Sequence, residues 1–226
     1  MIDKQVPDFR SAIDGLRSGD TIMVSGFGGA GMPRGLVAAV LDLAPRDLVV
    51  ISNNAGFTTG DISDWLSAGL VRKMICSYPR SSKTFVKLYR EGRLELELNP
   101  QGTLVERMRA AGVGLGGILS PVSAGTLLGE GKPVHTVDGR DYVLETPLKA
   151  DFAILRAKRA DRMGNLTYNK TARNFGPVMA MAARTVVAEV DEVVEPGGID
   201  PEIVITPGVL VDRVVVGRSR HEAAVA

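Results

Sequence analysis

Cysteine and histidine are nearly missing from this chain of 226 residues, which has one of the former, Cys76, and two of the latter, His135 and His221. A single thiol forms no internal disulfide, and no Cys-x-x-Cys pair is present. Such usage fits a reducing compartment, and the expected location is the cytoplasm. The two histidines build no Ser–His–Asp constellation and no metal site with ligands at useful spacing. Aromatics make up 5% of residues, too few for base-stacking platforms. Charge of neither sign prevails: 27 Lys and Arg against 26 Asp and Glu give a formal net charge of +1. Nothing in that balance attracts a polyanion, and no nucleic-acid partner is expected. Long hydrophobic runs are also missing, since LVAAVLDLA is interrupted by Asp42, and no membrane association is expected. The opening MIDKQVPDFR carries acidic residues and no apolar centre, unlike a signal peptide.

What is present is a regular alternation of short apolar runs and amphipathic segments. TIMVS (21–25) precedes a helix from about Pro33 to Leu43; DLVVIS (47–52) precedes DISDWLSAG (61–69). RKMICS (72–77) then precedes SKTFVKLYREG (82–92), and RLELEL (93–98) precedes TLVERMRAAG (103–112). Four strand–helix units in series predict a parallel sheet with helices on its faces. The apolar runs read as strands buried on both sides. Gly69, Gly92 and Gly112 read as helix ends. PVHTVDGRDYVLE (133–145) alternates about Asp138-Gly139, a hairpin signal. ADFAILRAK (150–158), TVVAEVDEVV (185–194), EIVITP (202–207) and DRVVVG (212–217) can extend the sheet, with a further helix near PVMAMAAR (177–184). The fold class is therefore α/β: a three-layer α/β/α sandwich with a mainly parallel sheet and a small hairpin. Residues 1–217 are expected to form one domain and 218–226 a flexible tail.

SGFGGAGMP (25–33) carries the pattern Gly26-x-Gly28-x-x-Gly31 between a strand and a helix, the setting of a dinucleotide-binding turn. That fingerprint also needs an acidic residue at the end of the second strand, and Ser52-Asn53-Asn54-Ala55-Gly56 has none. NAD binding is not expected. A glycine-rich turn ahead of a helix still leaves amides free for an anion or oxyanion. A phosphate- or nucleotide-binding α/β protein is the reading from a different class, and a tight turn packing helix on sheet explains the glycines equally well. Pro33 suits the first helical position. Asn53 and Asn54 directly follow a parallel strand, where ligands of open α/β sheets bind; their amides suit a carboxylate or thioester oxygen, and they are also turn chemistry. Gln101 and Gly102 follow the strand RLELEL in the same way. Cys76 reads as a core residue, and Glu95 and Glu97 as facing solvent or a helix. The residues alone give a polar, low-charge pocket without a nucleophile.

These segments together resemble the A (α) subunits of family I coenzyme A transferases, the 3-oxoacid type. SGFGGAGMP resembles that family's glycine-rich segment, with Ser25 in place of its usual first glycine. SNNAG (52–56) and NPQGTLVERMRAAGVG (99–114) match its asparagine and Pro-Gln-Gly-Thr blocks. TLLGEGK (126–132), ADFAILRAKRADRMGNLTY (150–168), RNFGPVMAMAA (173–183) and ITPGVLVDRVV (205–215) resemble later blocks, so the likeness runs along nearly the whole chain in order. The resemblance implies a ping-pong reaction in which a glutamate forms a glutamyl-CoA thioester. In the family that glutamate belongs to the B (β) subunit, in a Ser-x-Glu-Asn-Gly-like context that is missing here; Glu130 in GEGK is not in that setting.

The resemblance thus implies no catalytic nucleophile in this chain, no metal and no permanently bound cofactor. The coenzyme A thioester is a substrate, and the partner is a B (β) subunit in an α2β2 heterotetramer. Gly26, Phe27, Gly28 and Gly31 are assigned to the acyl group, and Asn53, Asn54, Gln101 and Gly102 to carboxylate and carbonyl contacts. CSYPRSS (76–82) looks like the segment of relatives acting on 3-oxoadipate. There a second carboxylate would pair with Arg80 bidentately, although a plain surface arginine fits the position too. Acetoacetate is the alternative acid. A basic run, Arg156, Lys158, Arg159, Arg162, Lys170 and Arg173, reads as a solvated strand edge.

Overall fold

Side chains on alternate residues of a strand leave opposite faces of a sheet, and here both faces are covered. The computed structural model describes residues 2–217, so the expected tail at 218–226 lies outside the described residues. The first half runs α1 (Phe9–Ala12), β1 (Thr21–Val24), α2 (Arg34–Leu43), β2 (Leu48–Ile51), α3 (Ile62–Ser67), β3 (Val71–Cys76), α4 (Lys83–Arg90), β4 (Glu95–Leu98) and α5 (Gln101–Gly112). It continues through β5 (Ile118–Ser120), β6 (Val134–Val137), β7 (Arg140–Glu145), β8 (Ala150–Arg156), β9 (Arg159–Asp161) and β10 (Leu166–Thr167). The last elements are α6 (Gly176–Ala182), β11 (Ala183–Val190), β12 (Glu192–Val194) and β13 (Arg213–Val216).

Seven strands form one parallel sheet in the order β13-β11-β8-β1-β2-β3-β4. The chain starts in the middle at β1, winds outward to β4, then returns to β8 on the other side of β1. Ile22 and Val24 pack with α1 to α4 in one apolar cluster; Met23 packs with α5 and α6 in the other. Each reversal of winding direction thus moves the helices to the opposite face, as right-handed crossovers require. The switch point lies between β1 and β8, and open α/β sheets bind ligands at the strand ends there. Among the described residues no helix is long and apolar enough to cross a membrane.

Several local expectations are corrected. The hairpin β6–β7 turns at Asp138-Gly139, both with positive φ, but it gains a third strand, β5. Residues 202–207 form no strand; Pro201–Ile203 is a 3-10 turn, and only Thr206 bridges to Leu166. The run 185–194 divides, with β11 in the main sheet and β12 in a three-stranded sheet with β9 and β10. Pro33 is the N-cap of α2, one place ahead of its expected position. Gly69 and Gly92 are left-handed after their helices, but Gly112 is helical, and a Cβ there would lie 2.4 Å from the Met181 Cβ. Its role is close packing of α5 on α6.

β4 is an edge strand with half-buried to exposed side chains, unlike the doubly buried strand expected. Its Glu97 faces helix α5, the second of the two expected settings. Lys73 of β3 donates to Glu97 at 2.6 Å, and Arg107 of α5 donates to it at 2.6 Å. Arg107 also donates to the Asn99 side chain (2.7 Å) and to the Thr146 carbonyl (2.7 Å). Burial alone would raise the Glu97 carboxyl. The hydrogen bonds from Lys73 and Arg107, with their charges, outweigh that and hold it at about 2, against an ordinary 4.5. A depressed folded-state value stabilises the fold above the unfolded value, and that contribution fades as pH falls towards 2. Glu97→Gln is therefore expected to lose less stability than the parent between about pH 5 and pH 3 in urea unfolding. Parallel losses in the two proteins would contradict this account of the network.

Candidate functional site

Bare backbone after β1 is required by the turn that the chain makes there. Phe27 and Ala30 exchange two backbone hydrogen bonds, of 2.9 and 3.0 Å, across Gly28-Gly29. Those two glycines have φ of 56° and 85°, the geometry of a type I′ turn, which side chains resist. Among the described residues the amides of Gly28 and Gly29 donate to nothing. Phe27, at the foot of the turn, is 48% exposed. The Ser25 hydroxyl, fully buried, donates to the Gly31 carbonyl (2.7 Å) and accepts from the Arg156 amide (3.0 Å), tying the loop to the end of β8. Ser25 thus closes the loop with a bond that a glycine cannot make.

Asn174 holds the same loop from the other side. Its Oδ1 accepts from the Gly26 amide (3.1 Å) and the Phe175 amide (2.7 Å). Its Nδ2 donates to the Ala30 carbonyl at 3.0 Å and to the carbonyls of Thr171 and Ala172 at 3.2 Å each. Both limbs of the glycine turn therefore hang on one side chain. Sequence reading missed Asn174. An asparagine ahead of Phe-Gly-Pro is ordinary turn chemistry, and nothing local links it to Gly26, 148 positions away.

The neighbouring strand ends supply amides. Asn53 and Asn54 are buried at the end of β2, and the Asn53 carbonyl accepts from the amides of Ser77 and Tyr78. Asn54 Oδ1 accepts from the Gly56 amide at 2.9 Å, which fixes it in a tight turn. Asn54 Nδ2 lies 3.4 Å from Asn53 Oδ1, and Asn53 Nδ2 lies 3.5 Å from Gln101 Oε1. These are long contacts at the limit of bonding, so Asn53 and Gln101 keep amide capacity for another partner. Gln101 and Gly102 open α5, whose N-terminus has no side-chain cap, leaving its first amides and their partial positive charge unanswered. The Ser77 and Thr103 hydroxyl oxygens are buried beside this point without a partner among the described residues.

Asn53, Asn54 and Gln101 are thus brought together, and Phe27, Gln101, Arg173 and Asn174 line two adjoining clefts of about 330 and 470 Å³. Asn53 and Asn54 reach these clefts only through Gln101 and do not line them, and neither does Arg80. Its Nε donates to the Tyr78 hydroxyl (3.1 Å), its guanidinium stacks 5.2 Å from that ring, and with Lys83, Lys87 and Arg90 it lines a separate groove. The basic run also divides. Arg156 pairs with Glu189 and Asp191, Arg159 with Glu192, and Arg162 with Asp3 and Glu195; Arg156 and Arg159 lie on the interior strands β8 and β9, so the expected solvated strand edge is corrected for them. Lys170 and Arg173 face the clefts instead.

No acidic side chain lines either cleft. The two buried glutamates are occupied elsewhere: Glu145 accepts from Lys132, and Glu189 from the Leu36 amide and Arg156. Burial pushes the Glu189 carboxyl up. Burial also pushes the Cys76 thiol up to about 12, so it is a core group and no nucleophile. Among the described residues no three His, Cys, Asp or Glu side chains are grouped to hold a metal ion. The arrangement offers amide donors, free backbone N–H groups and cations beside two small clefts, with no carboxylate or thiol among the described residues lining them.

Residues 6–217 match the family described as Coenzyme A transferase. The A subunit of 3-oxoadipate CoA-transferase from Pseudomonas putida is 53% identical over 100% of this chain and 99% of its own length. The protein of the same description from Acinetobacter baylyi is 49% identical over 99% of both chains. Among solved structures, an acyl-CoA transferase of Escherichia coli O157:H7 superposes with a TM-score of 0.86 at 24% identity, covering 95% of this chain and 47% of that longer one. That likeness bears out the α/β sandwich.

If Asn174 holds the loop, truncating it leaves the Gly26 and Phe175 amides without a partner among the described residues and takes from the Ala30 carbonyl one of its two donors. Asn174→Ala is expected to lower unfolding stability by about 1–3 kcal/mol. Asn174→Asp, which keeps the acceptor and loses the donor, should fall between. Urea melts of the three proteins check this, and coincident midpoints would remove Asn174 from its role.

Proposed function

The chain belongs to the coenzyme A transferase family, and we propose that it is the α subunit of an enzyme moving coenzyme A from succinyl-CoA to 3-oxoadipate. Two relatives at 53% and 49% identity, matched end to end, are described as the A subunits of 3-oxoadipate CoA-transferases. The observation that carries the division of labour is the set of clefts with amides and cations but no carboxylate. The β subunit supplies the glutamate that attacks the thioester, in an α2β2 assembly. This chain binds the acyl end. Gly26, Phe27, Gly28 and Gly31 form the loop beside the acyl group. Asn53 and Gln101 meet the substrate carboxylate or carbonyl, Asn54 holds Asn53, and Gly102 leaves the α5 N-terminus open to the oxyanion.

The chemistry has two halves. The glutamate carboxylate of the partner adds to the thioester carbonyl, and coenzyme A leaves as its thiolate, giving an acyl anhydride. The thiolate then attacks the glutamyl carbonyl and releases the acid, leaving a glutamyl-CoA thioester. The incoming acid reverses the sequence. Each tetrahedral intermediate carries an oxyanion. Donors fixed before the reaction stabilise that charge without reorganising, and one such donor is worth about 3 kcal/mol, roughly a hundredfold in rate.

The direct test is affinity capture of the tagged chain from its own cells. The eluate and the chain alone are then assayed for transfer from succinyl-CoA to 3-oxoadipate and to acetoacetate. A second chain of similar size, activity only in the complex and preference for 3-oxoadipate are expected. A solitary chain inactive with both acids would contradict the reading. Asn53→Ala and Gln101→Ala, made in the complex, should each cut turnover by about a hundredfold without loosening the assembly. Unchanged turnover would exclude them from the pocket.

A further inference from the structure

A dicarboxylic acid presents one carboxylate for reaction and must place its other somewhere. A buried or half-buried carboxylate needs a cation, and arginine answers it bidentately. The clefts beside the glycine loop hold such groups. Arg173 lines both, Lys170 lines the larger, and Gln101 and Phe27 lie on the shared rim. Neither Lys170 nor Arg173 has an acidic partner among the described residues, whereas the third cation there, Arg109, is engaged by Glu106 at 3.0 Å. Two adjoining clefts, each lined by two cations and by no acid among the described residues, in a chain of net charge +1, favour an anion.

The smaller cleft also has an apolar wall between α5 and α6, made by Val105, Val178 and Met181. Its volume of about 330 Å³ lies at the small end of ligand pockets. Methylenes along that wall, a carboxylate at one end and amides at the other describe a short diacid better than a nucleotide. Lys170 and Arg173 are the two ends of one 3-10 turn, and Asn174, next to Arg173, grips the glycine loop. The cations are thereby held in register with Gly26 and Ala30.

We infer that Arg173, aided by Lys170 and in preference to Arg80, binds the distal carboxylate of the dicarboxylic acyl group. The inference rests on the 3-oxoadipate reading and goes beyond it by naming the subsite that selects diacids. The same subsite takes the free carboxylate of the succinyl donor, so one clamp serves both half-reactions.

The test uses the complex with its partner, carrying Arg173→Ala, Arg173→Lys or Arg80→Ala. In a ping-pong scheme kcat/KM for the acid is independent of the donor. Arg173→Ala is expected to lower the ratio of kcat/KM for 3-oxoadipate over acetoacetate by about 10- to 100-fold. It should also raise the inhibition constant of adipate by about tenfold or more. Arg173→Lys, which keeps the charge without the planar fork, should recover part of both. Equal losses with 3-oxoadipate and acetoacetate would overturn the inference, as would a larger loss of the ratio at Arg80→Ala. Equal losses with succinyl-CoA and acetoacetyl-CoA as donors would also overturn it, moving Arg173 to the phosphates of the coenzyme. A parent complex that rejects 3-oxoadipate would instead contradict the functional reading, and adipate inhibition would still decide the role of Arg173.

Discussion

Parallel pairing is the constraint on which the rest depends. Seven strands pointing the same way send every strand-ending loop to one edge of the sheet. The chain starts at the centre and winds outward twice, so the deepest part of that edge lies between β1 and β8. Backbone amides there must be paired or left for a ligand. Some are paired by single side chains: Ser25 joins the loop to β8, and Asn174 holds both limbs of the glycine turn. Others stay free at Gly28, Gly29 and the start of α5. The site is the part of the edge that the fold leaves unsatisfied, framed by the part it satisfies.

The elements that sequence disclosed are those whose cause is local. Short apolar runs and amphipathic segments placed β1 to β3 and α2 to α5 because both signals lie within a few residues. Asp138-Gly139 disclosed its hairpin because only such pairs suit a type I′ turn. The failures have a common origin in distant contacts. RLELEL looked like a buried strand whose glutamates face solvent or a helix. It is an edge strand because among the described residues nothing pairs beyond it, and Glu97 is held against α5 because Lys73 and Arg107 arrive from other elements. EIVITP had the composition of a strand, yet it begins in a 3-10 turn and meets β10 through a single bridge, Thr206 to Leu166.

The site divides in the same way. That Asn53, Asn54 and Gln101 come together was legible because each follows a parallel strand, and topology fixes where such residues emerge. Asn174 and the cleft-facing turn of Lys170 to Arg173 were not, because their relation to the glycine loop exists only after β8 and α6 have packed. Arg80 follows a suitable strand too, but its guanidinium lies on the ring of Tyr78 and lines a separate groove.

The proposal that this chain forms half of an active site stands on clefts lined by amides and cations and, among the described residues, by no carboxylate. Incubating the complex with succinyl-CoA and no acceptor should leave coenzyme A covalently attached, and peptide mass mapping locates the adduct. The account expects it on a glutamate of the partner and none on this chain. An adduct on a residue of this chain would contradict the account.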